Sequence, residues 1–281
     1  MTLTETAMPF CAPFRILQPL HQTRLLVLGA ALYLGLLSAA QAQVKLDVPY
    51  VPTPYDTVHR MLELADVQPD DKLIDLGSGD GRIVVQAARD WGVSGALGVD
   101  IDPERIEEAR QNARATGVDD RVEFIRGDLF EMDFSEATVL TMYLLESINQ
   151  HLRPIILEQL RPGTRVVSHV FGMGNWKPDT TIQARGLQAF LWIVPARVGG
   201  NWRLEAGDGS THVLSFSQEF QQVDGMYQVE DTTQGMTFCA LRGDEIRFTV
   251  AGKHYIGRVE GDSIIGVPGP GAVSQWQAKR I

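Results

Sequence analysis

The stretch Leu73-Ile74-Asp75-Leu76-Gly77-Ser78-Gly79-Asp80-Gly81-Arg82 constrains this chain more than any other. An aliphatic run bounded by Asp70-Asp71 on one side and glycines on the other has the pattern of a strand buried in a parallel sheet. Gly77, Gly79 and Gly81 let the backbone turn tightly and approach a ligand closely, and a helix then opens with its N–H groups pointing at that ligand. The loop therefore predicts an α/β fold of right-handed βαβ units, with a site at the carboxyl ends of the strands. The next strand, Gly95-Ala96-Leu97-Gly98-Val99-Asp100, ends on a second acid roughly 20 residues on, where a carboxylate can accept hydrogen bonds from a ribose diol. These two strand ends suit an adenosine-bearing cofactor. A dinucleotide fingerprint would need its third glycine at position 82, where Arg82 stands.

From Thr53 to about Pro195 the chain alternates strands and helices. Thr53-Pro54-Tyr55-Asp56 combines an N-cap hydroxyl, a proline at the first helical position and an acid at the third. Asp102-Pro103-Glu104 opens another helix in the same way, and Gly117 ends it. Arg121 to Arg126 is read as strand three and Thr138 to Leu144 as strand four. Ile148 to Leu160 reads as a helix interrupted by Pro154, and Arg165 to Val170 as strand five. After Pro195 helical periodicity disappears. About eight short alternating strands follow, with turns at Asp208-Gly209, Asp224-Gly225, Gly243-Asp244 and Glu260-Gly261-Asp262, which suits a small antiparallel β-barrel-like domain. Residues 43–195 and 196–281 are thus expected as two domains.

Composition narrows the partners. The chain has 281 residues, 44% hydrophobic and 21% charged, and a formal net charge of −10, so a wrapped nucleic acid is not expected. Arg15 and Arg24 precede an apolar run from Leu25 to Leu37, and Ala40-Gln41-Ala42 follows; this order predicts a secretory signal peptide over residues 1–42, cleaved before Gln43. The apolar run is short for a membrane span, and an uncleaved signal anchor is the alternative. Export, to a periplasm-like compartment, is the expectation. Cys239 would be the one thiol of the mature part, so no internal disulfide can form. The histidines at 21, 59, 151, 169, 212 and 254 show no ligand spacing, and no metal site is indicated.

The pattern D-x-G-x-G-x-G at Asp75–Gly81 resembles motif I of class I S-adenosylmethionine (SAM) methyltransferases, and Asp128-Leu129 after strand three adds a third loop site in the right order. Tyr50-Val51-Pro52-Thr53-Pro54, followed by Asp75 to Val84, is similar to the lysine methyltransferases of the mitochondrial ATP synthase c subunit and their bacterial relatives; the likeness covers about Val48 to Trp176. It implies a Rossmann-like, seven-stranded doubly wound sheet and SAM as cofactor. It also implies that Tyr50 and Thr53 cap the cofactor, that Gly77, Gly79 and Asp100 hold its amino acid and ribose parts, that Asp128 faces the adenine amino group, and that Asp75, Ser78, Ile101 and Leu129 belong to the cofactor site as well. Substrate-facing groups are expected at Tyr143 and Glu146, past strand four, and at His169, near the end of strand five. Met142-Tyr143-Leu144-Leu145-Glu146 departs from the mitochondrial pattern, as do the leader and the C-terminal β region. The acceptor is then a protein lysine or a small molecule, with the β-domain as a substrate cup in the second case. A third reading is an exported, non-catalytic ligand-binding protein. Within the C-terminal region, Gly200-Asn201-Trp202 at the start and Arg280 at the end resemble the lipocalin-type (calycin) pattern, in which the arginine covers the tryptophan.

Overall fold

A computed structural model describes residues 50–281, so the leader expected over residues 1–42 lies outside the described residues. The first part contains α1 (Tyr55–Leu64), β1 (Lys72–Leu76), α2 (Arg82–Asp90), β2 (Gly95–Asp100), α3 (Pro103–Thr116), β3 (Val122–Arg126), β4 (Val139–Met142), α4 (Glu146–Gln159), β5 (Arg165–His169), β6 (Thr180–Ala184) and β7 (Leu187–Ile193). These strands form one sheet in the order β3-β2-β1-β4-β5-β7-β6. The first five are parallel, and β7 enters antiparallel between β5 and β6. The strand order reverses between β1 and β4, which places a crevice at their carboxyl ends. Alternation along β1 serves both faces: Leu73 joins the core under α1 and α2, while Ile74 and Leu76 join the core under α4.

Helix ends follow the sequence pattern at α3 and depart from it at α1 and α4. Asp102 caps α3 by accepting from Glu104 N at 2.8 Å, and Gly117 ends it in the left-handed conformation at φ 67°. Thr53 does not cap α1. Pro54 occupies the N-cap position with no side-chain bond, and the Thr53 hydroxyl lies 3.5 Å from His169 Nδ1 instead. Pro154 does not interrupt α4, which runs through it. Buried Asn149, Leu152 and Ile156 anchor that helix on both sides of the missing N–H.

The C-terminal part is β8 (Gly200–Ala206), β9 (Thr211–Glu219), β10 (Gln222–Val229), β11 (Thr232–Gly235), β12 (Cys239–Arg242), β13 (Glu245–Val250), β14 (Lys253–Glu260), β15 (Ser263–Gly266) and β16 (Trp276–Arg280). They make a curled antiparallel sheet ordered β11-β10-β9-β8-β16-β15-β14-β13-β12. Three of the four expected turns join hairpins, but Asp224-Gly225 lies inside β10, paired with Ser217 and Phe216. A side chain at Gly225 would collide with Met236, so this glycine serves close packing rather than a turn. The Arg280 guanidinium sits 4.3 Å from the centre of the Trp202 ring and donates to the carbonyls of Gly199 and Arg197. Phe216, Phe248, Tyr255 and Trp276 pack edge and face inside the curl, with centroids 5.3–5.6 Å apart.

The hairpin between β9 and β10 ties this sheet to the first. Phe220, at φ 53°, stacks on Trp176 with centroids 5.8 Å apart, and Arg153 of α4 covers it at 5.4 Å. Trp176 Nε1 donates to Gln221 Oε1 at 3.0 Å, and Gln221 Nε2 returns a bond to the Lys177 carbonyl at 2.7 Å. Among the described residues no helix is long and apolar enough to cross a membrane.

Candidate active site

The glycine loop after β1 wraps the end of β2. Gly77 N and Ser78 N both donate to the Val99 carbonyl at 2.9 Å, and Gly79 N donates to Asp100 Oδ2 at 2.9 Å. Gly77 and Gly79 have φ of 73° and 53°, which a side chain would strain. Space is closed to one as well, because a Cβ at 77 would lie 2.7 Å from Leu144 Cδ2, and one at 79 would lie 2.5 Å from the Tyr50 ring.

A cleft of about 1020 Å³, its open mouth included, runs along these strand ends. Every residue expected at the cofactor lines it: Tyr50, Thr53, Asp75, Gly77, Ser78, Gly79, Asp100, Ile101, Asp128 and Leu129. Tyr143 lines it too. Glu146 and His169 do not. Glu146 is exposed at the first turn of α4, where its carboxylate accepts from Gln150 Nε2 at 3.2 Å. His169 is 1% exposed beneath the Tyr143 ring, with centroids 4.3 Å apart. Burial pushes its imidazole down to about 4, so the ring is neutral, and Nε2 is buried without a partner.

Five acids (Asp75, Asp80, Asp100, Asp102 and Asp128) and two arginines (Arg82 and Arg105) set the local charge. Asp100 Oδ1 also accepts from Asp102 N at 2.9 Å, so the carboxylate braces the loop on both sides while keeping its remaining lone pairs. Asp75, 2% exposed, accepts from Thr141 Oγ1 at 2.7 Å. Burial, helped by the charges of Asp100 and Asp80, overrides that bond and pushes its carboxyl up to about 7. Burial would raise Asp80 as well, but the Arg82 guanidinium bonded to it holds it below the usual carboxylate range. Arg82 Nη1 donates to the Thr53 carbonyl at 2.8 Å, and Arg105 covers the Tyr50 ring at 4.8 Å. Together these fasten the segment Tyr50–Thr53 over the glycine loop. Asp80, Arg82 and Arg105 also line the cleft, and sequence pattern alone does not single them out. The first two stood inside the motif itself, but spacing says nothing about a charge pair that folds back on a neighbouring strap.

The donor set fits SAM. The loop offers a cradle that only glycine leaves open; Asp75 and Asp100 offer carboxylates for an ammonium and a ribose diol; Asp128, Leu129 and Phe130 offer an acid and apolar walls for a purine. When bound, SAM supplies a methyl group on a cationic sulfur that departs as a neutral thioether.

Comparison with known proteins agrees with this geometry. Residues 75–180 match the ANTKMT methyltransferase domain. A protein-lysine N-methyltransferase of Saccharolobus islandicus (strain REY15A) is 52% identical over 136 residues, which are 48% of this chain and 84% of that protein. The mouse adenine nucleotide translocase lysine N-methyltransferase is 35% identical over 139 residues, 50% of this chain but only 60% of its own length. A crystal structure of an RNA methyltransferase from Salinibacter ruber, in complex with S-adenosyl-L-homocysteine, shares 57% identity at a TM-score of 0.52, over 53% of this chain and 96% of that one. The fold and the cleft define a class I SAM-dependent methyltransferase. Within that class, the chain belongs to the family that carries the ANTKMT methyltransferase domain.

Proposed function

We propose that the enzyme methylates the side-chain amine of lysine in a protein. The observation that carries this reading is the position of Tyr143, the one expected acceptor-side residue that lines the cleft. An aromatic wall suits an aliphatic side chain that ends in a cation. The name and 52% identity of the Saccharolobus relative support the same acceptor. A lysine ammonium must lose its proton before it can attack, and with His169 buried and Glu146 exposed outside the cleft, that proton passes to water at the open mouth. The amine lone pair then takes the methyl group as the carbon–sulfur bond breaks. The other residues align and exclude solvent.

RNA is the second reading, because the Salinibacter relative is described as an RNA methyltransferase. The formal charge of −10 counts against it. Incubating the full chain with methyl-labelled SAM and either total cell protein or total RNA tests both. Label is expected in protein, recovered as methyl-lysine after acid hydrolysis; label in RNA alone would overturn the lysine reading. We also propose that residues 1–42 direct export, supported by their charge, apolar and A-x-A order. N-terminal sequencing of mature protein should begin at Gln43, and a full-length cytoplasmic product would rule that out.

A further inference from the structure

Beyond Tyr143 the acceptor side continues on a segment whose backbone is strained. Val170, directly after β5, has φ 66°, a conformation that a β-branched residue rarely adopts. Such strain persists only where surrounding contacts over-determine it, and those contacts are present. The Phe171 N–H donates to the His169 carbonyl at 2.8 Å. The Phe171 carbonyl accepts from Ser168 Oγ at 2.7 Å and from Asn149 Nδ2 at 3.1 Å, and Asn149 Nδ2 also reaches the Gly172 carbonyl at 3.3 Å. Asn149 and Ser168 are fully buried. The product of this arrangement is a single placement: the half-buried Phe171 ring lies nearly parallel to the half-buried Tyr143 ring, at 22° and 6.2 Å between centroids. His169 supports Tyr143 from beneath.

We propose that Tyr143 and Phe171 form one aromatic wall that receives the cationic end of the acceptor lysine and the methylated ammonium it becomes, with Asn149 as the positioning residue that holds the wall in place. The proposal rests on the lysine reading and extends it from Tyr143, which lines the cleft, to Phe171 beyond the cleft lining. Its chemistry is cation–π attraction, which strengthens as a fixed positive charge becomes less hydrated, so a methylated ammonium should be held at least as well as a bare one. A neutral group of the same shape should be held less well.

Nuclear magnetic resonance titration of the full chain, saturated with S-adenosyl-L-homocysteine, tests this with two probes. One is Nα-acetyl-trimethyllysine methylamide and the other its neutral carbon isostere. The wild type is expected to bind the cationic probe at least fivefold more tightly than the isostere. Phe171→Leu should weaken the cationic probe roughly fivefold to tenfold while the affinity for S-adenosyl-L-homocysteine stays the same. Phe171→Tyr should restore binding, and the unchanged affinity for S-adenosyl-L-homocysteine shows that the Leu variant is folded. Equal binding of the two probes, no binding of the cationic probe, or no effect of Phe171→Leu would overturn the wall. The lysine reading stands or falls separately, on whether the labelled product is methyl-lysine.

Discussion

Asp75 and His169 are buried titratable groups whose contributions to stability run in opposite directions with pH. The Asp75 carboxyl is raised to about 7 in the folded chain, so the folded state holds a proton that the unfolded state releases near 4. Its contribution is present in acid and is lost as pH rises through 7. The His169 imidazole is lowered to about 4, so its penalty appears as pH falls below its unfolded value near 6.5. Between about pH 4.5 and 6.5 the two slopes oppose each other. In Asp75→Asn the melting temperature should rise with pH across that window, whereas in His169→Gln it should fall; differential scanning calorimetry at four or five pH values checks both signs. Asp100 was legible from its interval after the glycine loop, but its bonds to Gly79 N and Asp102 N were not. Asp100→Ala is therefore expected to weaken SAM binding at least roughly tenfold by titration calorimetry, and also to cost about 1–3 kcal/mol of stability by freeing two backbone donors. A loss of affinity with no change in stability would show that the brace is dispensable. Gly79→Val should abolish binding because its side chain strikes the Tyr50 ring, a neighbour 29 residues away that no local pattern reveals.

At the scale of elements, Asn149 joins α4 to the turn after β5 through one side chain. Asn149→Ala would leave two carbonyls and the Ser168 hydroxyl short of a partner, and should destabilise the protein by about 2 kcal/mol in urea denaturation. Unchanged stability would mean that water satisfies those groups. The parallel strands β1 and β2 could be read closely from sequence because each is an apolar run closed by an abrupt glycine or acid, whereas β4 stops at Met142, short of the Leu144 expected, because the apolar run continues through Tyr143-Leu144-Leu145 with no such signal. The hairpin of β6 and β7 could not. Its turn is Arg185-Gly186, at φ 52° and 80°, and an arginine in a left-handed position gives no hairpin signal of the Asn-Gly kind. Phe171 was illegible for a related reason: its direction is set by the positive φ of Val170, and nothing about a valine in sequence announces that.

For the whole molecule, the question is whether the C-terminal sheet melts alone. Arg280→Ala removes a ring contact and two carbonyl partners, and should cost about 2 kcal/mol. Because Phe220 and Gln221 lock onto Trp176, that loss is expected to lower one shared unfolding transition rather than a separate C-terminal one. Phe220→Ala should split it, and near-ultraviolet circular dichroism followed in parallel with SAM binding during urea titration distinguishes the cases. The Trp202–Arg280 contact could be expected only through the resemblance of Gly200-Asn201-Trp202 and Arg280 to the lipocalin-type pattern, whereas the Phe220 lock falls at a hairpin tip that looks like any other. That lock also sets an order in time. The first sheet needs β7, inserted between β5 and β6, and so waits for Ile193. The indole of Trp176 then waits longer, for Gln221. Along the chain, the strands that build the cofactor crevice are therefore complete before the residue that covers Trp176, so the edge of the first sheet is finished only by a side chain that belongs to the second.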